Sequence, residues 1–406
     1  MADWDVTTAA ASLEFDTRDN SFNSCFQIDS NHFINFWLGG AATTDGFTQV
    51  FTVNTSTWAV TTAAASKLFS TDVGTYNTCY QIDSNHFINF WRGVSSDGFV
   101  QTFTVNTSTW AVTTAAAVLE FDTQNYIYGS VAKIDTNHFI LFYLGSTATQ
   151  DNHAQTFTVN TTTWAVTTAA ARFLFDTDVG TLNSCFQIDA NHFINFWQGV
   201  AADGFVQTFT VDTTTWAVTT AAAPLEFDTQ QGSYHSCYQI DSNHFIDFWL
   251  GGAATTDGFV QTFTVNTTTW DVTTAAASLQ FETDTGSYNS CRQIDANHFI
   301  NFWTGPGADG FTQVFTVNTT TWAVTTAAAS LEFDTQSCVY NSCFQIDANH
   351  FINFWQGFDT DGFVQVFTVE LPASSAIKSI NGLAKASVKS INGLAIASVK
   401  NYNGLA

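Results

Sequence analysis

A unit of about 52 residues is repeated seven times along this chain, and this periodicity constrains the fold more than any other feature. Asn-His-Phe followed by a short apolar run marks each unit, and a Trp in a Thr-Trp-Ala-Val-like stretch forms a second marker. The two markers alternate, and a Trp comes first. Periods of this size indicate an array of supersecondary units rather than several unrelated domains. The marker histidines are His32, His86, His138, His192, His244, His298 and His350. The marker tryptophans are Trp4, Trp58, Trp110, Trp164, Trp216, Trp270 and Trp322.

The first complete unit contains four segments with the character of β-strands. Residues 23–29 and 47–53 alternate between apolar and polar side chains, which is the strand period. Residues 32–38 form a dense aromatic run, and 58–69 are rich in Thr, Val and Phe, which favour extended structure. Asn, Asp and Gly separate the segments, as in tight turns. Each unit is therefore predicted to be a four-stranded antiparallel sheet.

Seven such sheets predict an all-β fold, a seven-bladed β-propeller. The chain starts at Trp4, on the fourth strand of a unit, and leaves the repeat at residues 363–369, on a third strand. We therefore expect residues 4–15 to pair with 363–369 and complete the last blade, which would remove two open sheet edges. This arrangement resembles the ring closure of WD-repeat propellers. The predicted domains are a propeller at 1–371 and a tail at 372–406.

The charge of the chain excludes several classes of function. The net charge is −25, from 35 acids and 10 bases, and four of the bases lie in the last 30 residues. So acidic a surface repels phosphate backbones, which argues against binding to nucleic acids. No apolar run reaches the ~20 residues that span a bilayer, so membrane insertion is not expected. The N-terminus lacks the pattern of a secretory signal, which predicts synthesis in the cytoplasm.

Six of the seven cysteines occupy equivalent positions in the repeats, and Val131 takes that position in the third. A position that accepts Cys or Val is a small apolar site in the core. Cys338 is the additional cysteine, and a local bridge from it to Cys343 is the alternative to seven free thiols. The six equivalent cysteines are Cys25, Cys79, Cys185, Cys237, Cys291 and Cys343.

The loops fall on two faces of the predicted ring. The turns of the Asp-Ser-Asn-His type share one face and vary little between repeats. The connections equivalent to 17–22 and 38–45 share the other face and differ in length and sequence, which is typical of binding loops on a rigid scaffold. An aromatic residue that ends each second strand is interpreted either as core or as one of a ring of sugar-stacking pockets. These candidate ligand-binding residues are Trp37, Trp91, Tyr143, Trp197, Trp249, Trp303 and Trp355.

The seven Asp-x-Asn-His groups suggest metal binding or catalysis, but a structural interpretation is favoured. Asp and Asn in tight turns bond their own backbone, and catalysis needs one asymmetric group of acid, base and stabiliser. We therefore predict no catalytic residue and no cofactor. One weaker candidate for Ca²⁺ is the pair Asp359 and Asp361, whose spacing suits the ion although further ligands are missing.

The tail differs from the ring in composition. An 11-residue repeat, Lys-Ser-Ile-Asn-Gly-Leu-Ala-x-Ala-Ser-Val, places Asn-Gly between short β-type runs, which is the strongest short-range hairpin signal. Three small strands could form a meander, and the alternative is a solvated tail. We expect the tail to mediate assembly with other subunits. Its candidate assembly residues are Asn381, Gly382, Asn392, Gly393, Asn403 and Gly404.

Three motifs resemble repetitive structural proteins of bacteriophages and uncultured microbes, in particular virion-associated appendages. They are the Ile-Asp-Ser-Asn-His-Phe hairpin, the Phe-Thr-Val-Asn-Thr-x-Thr-Trp hairpin and the Lys-Ser-Ile-Asn-Gly-Leu-Ala repeats. The resemblance implies a non-enzymatic display protein on a virion or extracellular surface, with an adhesive propeller and a tail that assembles with other subunits. It transfers no catalytic residues. The alternative is a multivalent lectin that binds glycans in repeated pockets and gains avidity from repetition.

Overall fold

The fold is a closed ring of seven antiparallel sheets. The computed structural model describes residues 3–40, 44–145, 151–177, 180–252 and 256–372, together with four two-residue strands between 379 and 395. In each blade the strand nearest the central channel is followed outward by a second and a third strand. These described residues contain no helix long and apolar enough to cross a membrane.

The strands follow the chain from one blade to the next. The chain begins with β1 (Val6–Thr8) and β2 (Leu13–Asp16). Blade 1 has β3 (Ser21–Gln27), β4 (His32–Gly39), β5 (Asp45–Val53), β6 (Val60–Thr62) and β7 (Lys67–Ser70). Blade 2 has β8 (Thr75–Gln81), β9 (His86–Arg92), β10 (Gly98–Val105), β11 (Val112–Thr114) and β12 (Leu119–Asp122). Blade 3 has β13 (Ile127–Lys133), β14 (His138–Leu144), β15 (Asn152–Val159), β16 (Val166–Thr168) and β17 (Phe173–Asp176). Blade 4 has β18 (Thr181–Gln187), β19 (His192–Gln198), β20 (Gly204–Val211), β21 (Val218–Thr220) and β22 (Leu225–Asp228).

The remaining blades repeat this order. Blade 5 has β23 (Gly232–Gln239), β24 (His244–Gly251), β25 (Asp257–Val265), β26 (Val272–Thr274) and β27 (Leu279–Glu282). Blade 6 has β28 (Ser287–Asp295), β29 (His298–Thr304), β30 (Gly310–Val317), β31 (Val324–Thr326) and β32 (Leu331–Asp334). Blade 7 has β33 (Val339–Gln345), β34 (His350–Gln356) and β35 (Gly362–Val369). Short 3₁₀ turns join the second and third strands of four blades, at Val94–Ser96, Val200–Ala202, Pro306–Ala308 and Phe358–Thr360.

The fourth position of each blade holds two short strands rather than the single extended segment expected from the sequence. Both pair with the third strand, and the Ala-rich stretch separates them. A side chain of the third strand bridges the interruption, because the amide of Gln101 donates to the carbonyl of Ala116 at 2.7 Å. The backbone N–H of Ala115 donates to Thr102 at 2.8 Å. The break therefore leaves these backbone groups hydrogen-bonded, as buried polar groups require.

The two ends of the repeat array meet in blade 7, as the sequence predicts. Strand β1 pairs with β35 in the register Val6 to Val369, and β2 pairs with the same strand at Leu13 and Val364. The N–H of Trp4 also donates to the carbonyl of Glu370 at 2.6 Å. The N-terminal segment thus supplies the outer position of the last blade and closes the ring.

The hydrophobic core lies between neighbouring sheets. At the interface of blades 1 and 2, Phe36 packs edge-to-face on Phe103 with ring centroids 5.0 Å apart, and Phe69 contacts both rings. Phe36 and Phe103 are fully buried. Equivalent phenylalanines meet between other blades, for example Phe248 and Phe315 at 5.0 Å. This repeated contact accounts for the abundance of Phe, since each buried ring removes a large apolar area from water.

The repeated cysteines form hydrogen bonds between neighbouring inner strands, in addition to occupying the small core sites expected from the sequence. The Oγ of Ser24 accepts the N–H of Cys79 at 2.9 Å, and the Cys79 thiol donates to the carbonyl of Ser24 at 3.3 Å. Burial raises the pKa of Cys79 to about 12, which keeps the thiol protonated and unreactive. All seven cysteines are free, so the alternative of a Cys338–Cys343 bridge is wrong.

The tail contains two separate antiparallel ladders in the part that the structure describes. Strand β36 (Ser379–Ile380) pairs with β37 (Leu383–Ala384), and β38 (Ser390–Ile391) pairs with β39 (Leu394–Ala395). These pairs differ from the single three-stranded meander considered from the sequence. The six candidate assembly residues lie outside the described residues: Asn381, Gly382, Asn392, Gly393, Asn403 and Gly404.

Ring closure gives a test of the fold. Deleting residues 1–16 should expose the edge of β35, lower the melting temperature and cause association, because an open strand edge pairs with other chains. Deleting residues 373–406 is the matched control, since it removes no strand of the ring, and this variant should keep the circular dichroism spectrum and cooperative melting of a closed ring. Circular dichroism melting and size-exclusion chromatography measure both effects. Unchanged melting after the N-terminal deletion would contradict the closure.

Candidate functional site

The antiparallel ladders place the connections on two opposite faces. The "turn face" carries the turns at 29–31 and 54–57 and their equivalents in other blades. The "loop face" carries the connections between second and third strands, such as 93–97, and the connections between blades, such as 71–74. The central channel between the faces is surrounded by the seven inner strands. Functional groups can therefore lie on either face or in this channel.

The Asp-x-Asn-His groups form Asx turns, as the structural interpretation predicted. In blade 2 a carboxylate oxygen of Asp83 accepts the N–H of Asn85 at 3.0 Å and that of His86 at 2.9 Å. The same carboxylate lies 2.8 Å from Nδ1 of His86. The imidazole is thereby fixed beside the ring of Trp164 in blade 3, with centroids 3.5 Å apart. The motif thus joins one blade to the next, a role that the sequence did not reveal.

This contact occurs at every junction between blades. The tryptophan on which each histidine stacks has a left-handed backbone. In blade 2, Trp110 has a φ of 59°, and its N–H donates to the carbonyl of Asn106 at 2.6 Å. The "His–Trp belt" is the set of seven stacked pairs on the turn face. Its members are His32–Trp110, His86–Trp164, His138–Trp216, His192–Trp270, His244–Trp322, His298–Trp4 and His350–Trp58. Both sequence markers of the repeat therefore belong to one structural contact.

The carboxyl groups of these turns have lowered pKa values in four blades. Partial burial alone would raise the pKa of Asp83, but hydrogen bonds from Asn85 and His86, together with the charge on a protonated His86, outweigh it. The same balance lowers the pKa of the equivalent carboxyls. They are Asp135, Asp189 and Asp241. The folded protein therefore favours the ionised form of these groups.

The seven aromatic residues proposed to bind sugars are buried, so that interpretation is wrong. Trp37 is 1% exposed and Tyr143 is fully buried, while the other five are between 1% and 3% exposed. The indole N–H of Trp37 donates to the carboxylate of Asp16 at 2.7 Å. Asp16 belongs to β2, which lies in the neighbouring blade 7. A sugar needs an accessible ring face, and none of these rings offers one. The corrected residues are Trp37, Trp91, Tyr143, Trp197, Trp249, Trp303 and Trp355.

The third blade departs from this pattern by replacing Trp with Tyr143. The Tyr143 hydroxyl lies 3.0 Å from a carboxylate oxygen of Asp122, which also binds Nη1 of Arg172 at 2.6 Å. Asp122 is almost completely buried, so Arg172 compensates a charge that would otherwise be costly. His153 packs on the ring of Tyr143, with centroids 5.7 Å apart. Three departures of the third repeat, Tyr143, His153 and Arg172, therefore lie around the buried carboxylate of Asp122.

The fifth blade contains an acid–base pair that the sequence interpretation missed. Nδ1 of His235 lies 2.7 Å from Oδ2 of Asp247, and both side chains are completely buried. Five other blades have two asparagines at these positions, for example Asn89 donating to Asn77 at 2.9 Å. Burial raises the pKa of Asp247, and the neighbouring His235 opposes this effect. One repeat therefore carries an asymmetric acid and base, which the sequence analysis did not single out.

A signal for this pair is present in the sequence. The position of His235 is Asn in five repeats and Gly129 in the third, while the position of Asp247 is Asn in the same five and Leu141 in the third. The two positions therefore depart from Asn together. Comparing pairs of repeat positions would have predicted their contact, whereas each position considered alone looks like ordinary variation.

A ring of large side chains narrows the channel near the loop face. Phe22 lies 4.2 Å from Tyr76 and 4.4 Å from Tyr340, measured between ring centroids. Each residue of this ring has a left-handed backbone at an irregularity of its inner strand, which turns the side chain toward the axis. A cavity of about 180 Å³ lies beside the ring, and His235 is in its wall.

No group of three or more His, Cys, Asp or Glu side chains that could hold a metal ion occurs in the described residues. Asp359 has a left-handed backbone, with φ of 53°, in the 3₁₀ turn that ends before Asp361. Partial burial and the negative charges of Glu14 and Asp359 raise the pKa of Asp361. The calcium hypothesis for Asp359 and Asp361 thus gains no set of ligands from this part of the chain.

Comparison with solved structures shows similarity of fold. A candidate 6-phosphogluconolactonase of Bacteroides uniformis has a TM-score of 0.58 at 8% identity and covers 76% of this chain and 84% of its own. The corresponding protein of Bacteroides fragilis has a TM-score of 0.54 at 10% identity, with coverage of 76% and 83%. A protein of unknown function from Dyadobacter fermentans has a TM-score of 0.54 at 8% identity and covers 90% and 99%.

Identities this low establish the propeller architecture and do not transfer an activity. No family model matches the sequence, and no curated protein matches it. None of the three neighbours is described as a virion protein, so the resemblance to phage proteins stays a prediction.

The lowered pKa values of the turn carboxyls predict a pH dependence of stability. Because the folded pKa lies below the unfolded one, the stabilisation is complete above about pH 4 and is lost as the pH falls through the folded pKa. Replacing the four carboxyls by Asn should make the free energy of unfolding fall less steeply as the pH drops below about 4. The variant combines Asp83→Asn, Asp135→Asn, Asp189→Asn and Asp241→Asn.

The control for this experiment removes the same charge from exposed acids. Replacing four exposed glutamates of the outer strands by Gln should leave the acid slope close to that of the unaltered chain. Urea unfolding at several pH values measures each slope, and equal changes in both variants would contradict the prediction. The control glutamates are Glu14, Glu120, Glu226 and Glu332.

The buried pair in blade 5 predicts a strong coupling. His235→Asn or Asp247→Asn alone should lower the free energy of unfolding by about 3 kcal/mol, because each leaves the other group buried without its partner. The double variant restores the Asn pair of five other blades and should regain most of the loss. A double-mutant cycle in urea measures the coupling, and additive single effects would show that the two groups act independently.

Proposed function

We propose that the protein is a non-enzymatic display protein, whose propeller mediates adhesion through the loop face and whose tail mediates assembly. The observation that carries the proposal is that three equivalent apolar side chains lie on the face opposite the chain exit. Three large apolar side chains project from the loop face: Val94 is 49% exposed, Val200 46% and Phe358 51%. Strand β35 ends at Val369 on the turn face, next to Asn349 of a turn, so the chain leaves the ring there.

The three apolar side chains occupy equivalent positions in rigid loops. Each is the first residue of a 3₁₀ turn. In blade 2 the N–H of Gly93 donates to the carbonyl of Asp97 at 2.9 Å. The N–H of Asp97 donates to the carbonyl of Val94 at 3.0 Å. A loop that is already ordered loses little conformational entropy on binding. Apolar side chains held this way on one face favour contact with a partner surface.

Most repeated polar groups already have structural partners. The histidines stack on tryptophans of the next blade, and the turn carboxylates bind their own backbone. Several second-strand tryptophans donate to partly buried carboxylates, as Trp197 does to Asp176. Repetition in this chain therefore supports the ring, and recognition is proposed for the positions where the repeats differ.

The lectin alternative has less support than the adhesion proposal, because the aromatic rings on which it depended are buried. Its repeated pockets relied on ring faces of residues such as Trp249 and Trp355, both 2% exposed. A glycan array with and without Ca²⁺ tests it directly. Binding to a glycan class that survives changes in all loop-face residues would favour a lectin over the adhesion proposal.

The assembly role is tested by deleting residues 373–406. The full chain should form a species larger than a monomer, or attach to a particle from its source, and the deletion variant should be a folded monomer. Size-exclusion chromatography with light scattering gives the masses, and circular dichroism confirms folding. Equal masses and equal attachment for both forms would remove assembly from the proposal.

The adhesion role is tested with three substitutions on the loop face, Val94→Asp, Val200→Asp and Phe358→Asp. Binding of the labelled full chain to a panel of microbial cells, measured by flow cytometry, should fall at least ~10-fold, because charges would replace the apolar contacts. The control places three charges on exposed turn-face positions, Thr55→Asp, Thr107→Asp and Thr213→Asp, and should bind normally. Loss of binding in the control alone would reverse the assignment of faces.

A further inference from the structure

In the wall of the channel near the turn face, one position is charged in the sixth repeat and uncharged in the other six. Six repeats have an aromatic residue or alanine there, and the sixth repeat has Arg292. Ring contacts connect its neighbours, with centroids 5.0 Å apart for Phe26 and Tyr80 and 5.1 Å apart for Phe26 and Phe344. The seven equivalent residues are Phe26, Tyr80, Ala132, Phe186, Tyr238, Arg292 and Phe344.

These residues border a cavity of the channel, which we call the vestibule. Its volume is about 840 Å³, and its wall extends from Tyr80, Tyr238 and Phe344 to the turns that contain Asp189 and Asp347. It therefore opens on the turn face, away from the proposed adhesive loops. Pockets that bind small molecules have volumes of roughly 300–1,000 Å³, so the vestibule is large enough for a compact organic ligand.

The guanidinium of Arg292 has no carboxylate partner among the described residues. Its carbon lies 5.1 Å from the centroid of Phe344, and Nη1 donates to the carbonyl of its own neighbour Cys291 at 2.8 Å. By contrast, Arg172 pairs with the carboxylate of Asp122. A guanidinium carries five N–H donors in a planar fork. The single hydrogen bond therefore leaves donors of Arg292 for a ligand in the vestibule.

Other charged groups near the vestibule already have hydrogen-bond partners. Nζ of Lys133 donates to the carbonyl of Ile82 at 2.5 Å, and the negative charges of Asp83 and Asp135 act on it. The carboxylates of Asp189 and Asp347 at the mouth hold His192 and His350. Among the described residues that line the vestibule, Arg292 is the cation, and it forms no ion pair with a carboxylate of the described chain.

We propose that the vestibule binds a small organic monocarboxylate with an aromatic or apolar body. The carboxylate forms a bidentate ion pair with Arg292, since the guanidinium fork matches its two oxygens. The body of the ligand contacts Tyr80, Tyr238 and Phe344, which supply flat apolar surface. The proposal does not depend on the display role.

The charge balance favours a monoanion over a phosphate ester. One unpaired guanidinium compensates one negative charge, whereas a phosphate dianion also meets the acids at the mouth of the vestibule. The acidic net charge of −25 adds to this repulsion at low salt. Uncharged aromatic compounds would leave the guanidinium unpaired, so they should bind more weakly.

The test uses the full chain with 3-phenylpropionate as the main probe. Calorimetry and thermal shift should both detect binding of this compound at concentrations up to about 10 mM. Acetate, which lacks the body, and benzyl alcohol, which lacks the charge, should each bind at least ~10-fold more weakly, a difference of about 1.4 kcal/mol. Inorganic phosphate is included as the competing anion.

Arg292→Phe is the decisive variant, because Phe occupies the equivalent position in three repeats and is expected to pack there. It should lose 3-phenylpropionate binding at least ~10-fold while melting no lower than the unaltered chain, since a charge without an acidic partner is removed. Tyr238→Leu retains the charge and should weaken 3-phenylpropionate more than acetate. Arg18→Gln, a change of an exposed arginine elsewhere, is the control and should bind normally.

Several results would overturn the proposal. Equal binding by Arg292→Phe and the unaltered chain would remove Arg292 from the site. Benzyl alcohol binding as tightly as 3-phenylpropionate would show that charge is irrelevant, and tighter binding of phosphate would make the ligand class wrong. If none of the carboxylates binds at about 10 mM, Arg292 serves packing on Phe344 alone.

Discussion

Contact between neighbouring blades is the constraint on which this structure depends. A single four-stranded sheet of this size cannot bury its apolar faces alone, so each blade is stable only beside two others. Three layers of contact join them: the stacked His–Trp belt on the turn face, the edge-to-face phenylalanines in the middle, and the Ser–Cys hydrogen bonds along the inner strands. Each layer uses residues from both blades, so the repeat must be conserved within the chain for the ring to close.

The sequence predicted the architecture because the signals for it are local and repeated. Strand alternation, turn residues and the offset between Trp4 and residues 363–369 were enough to infer seven blades and their closure. For the repeated histidines, the sequence predicted the turn in which they lie but not the tryptophan on which they stack. An Asx turn is a contact within four residues and can be inferred from Asp and Asn, whereas the partner of His32 is Trp110, which lies in another blade. Contacts across 78 positions leave no signal in one repeat alone.

The candidate site was less predictable than the fold, for the same physical reason. An aromatic residue at a strand end can belong to a hydrophobic core or to a sugar-binding site, and the exposure of its ring distinguishes the two. Trp37 belongs to the core because its ring is buried, and its indole N–H donates to Asp16. His235 and Arg292 each look like a single substitution in a repeat, and their meaning depends on what faces them. His235 faces Asp247, while Arg292 faces a cavity.

The junction of the two chain ends has a mechanical consequence. Strand β35 is bonded on one side to β34 and on the other to β1 and β2, and the chain continues from its end at the turn face. A load applied to the tail along this strand would act parallel to the strand axis, so the hydrogen bonds of both ladders would resist together rather than open one at a time. The N-terminal segment therefore both completes a sheet and anchors the strand through which tension would enter the ring.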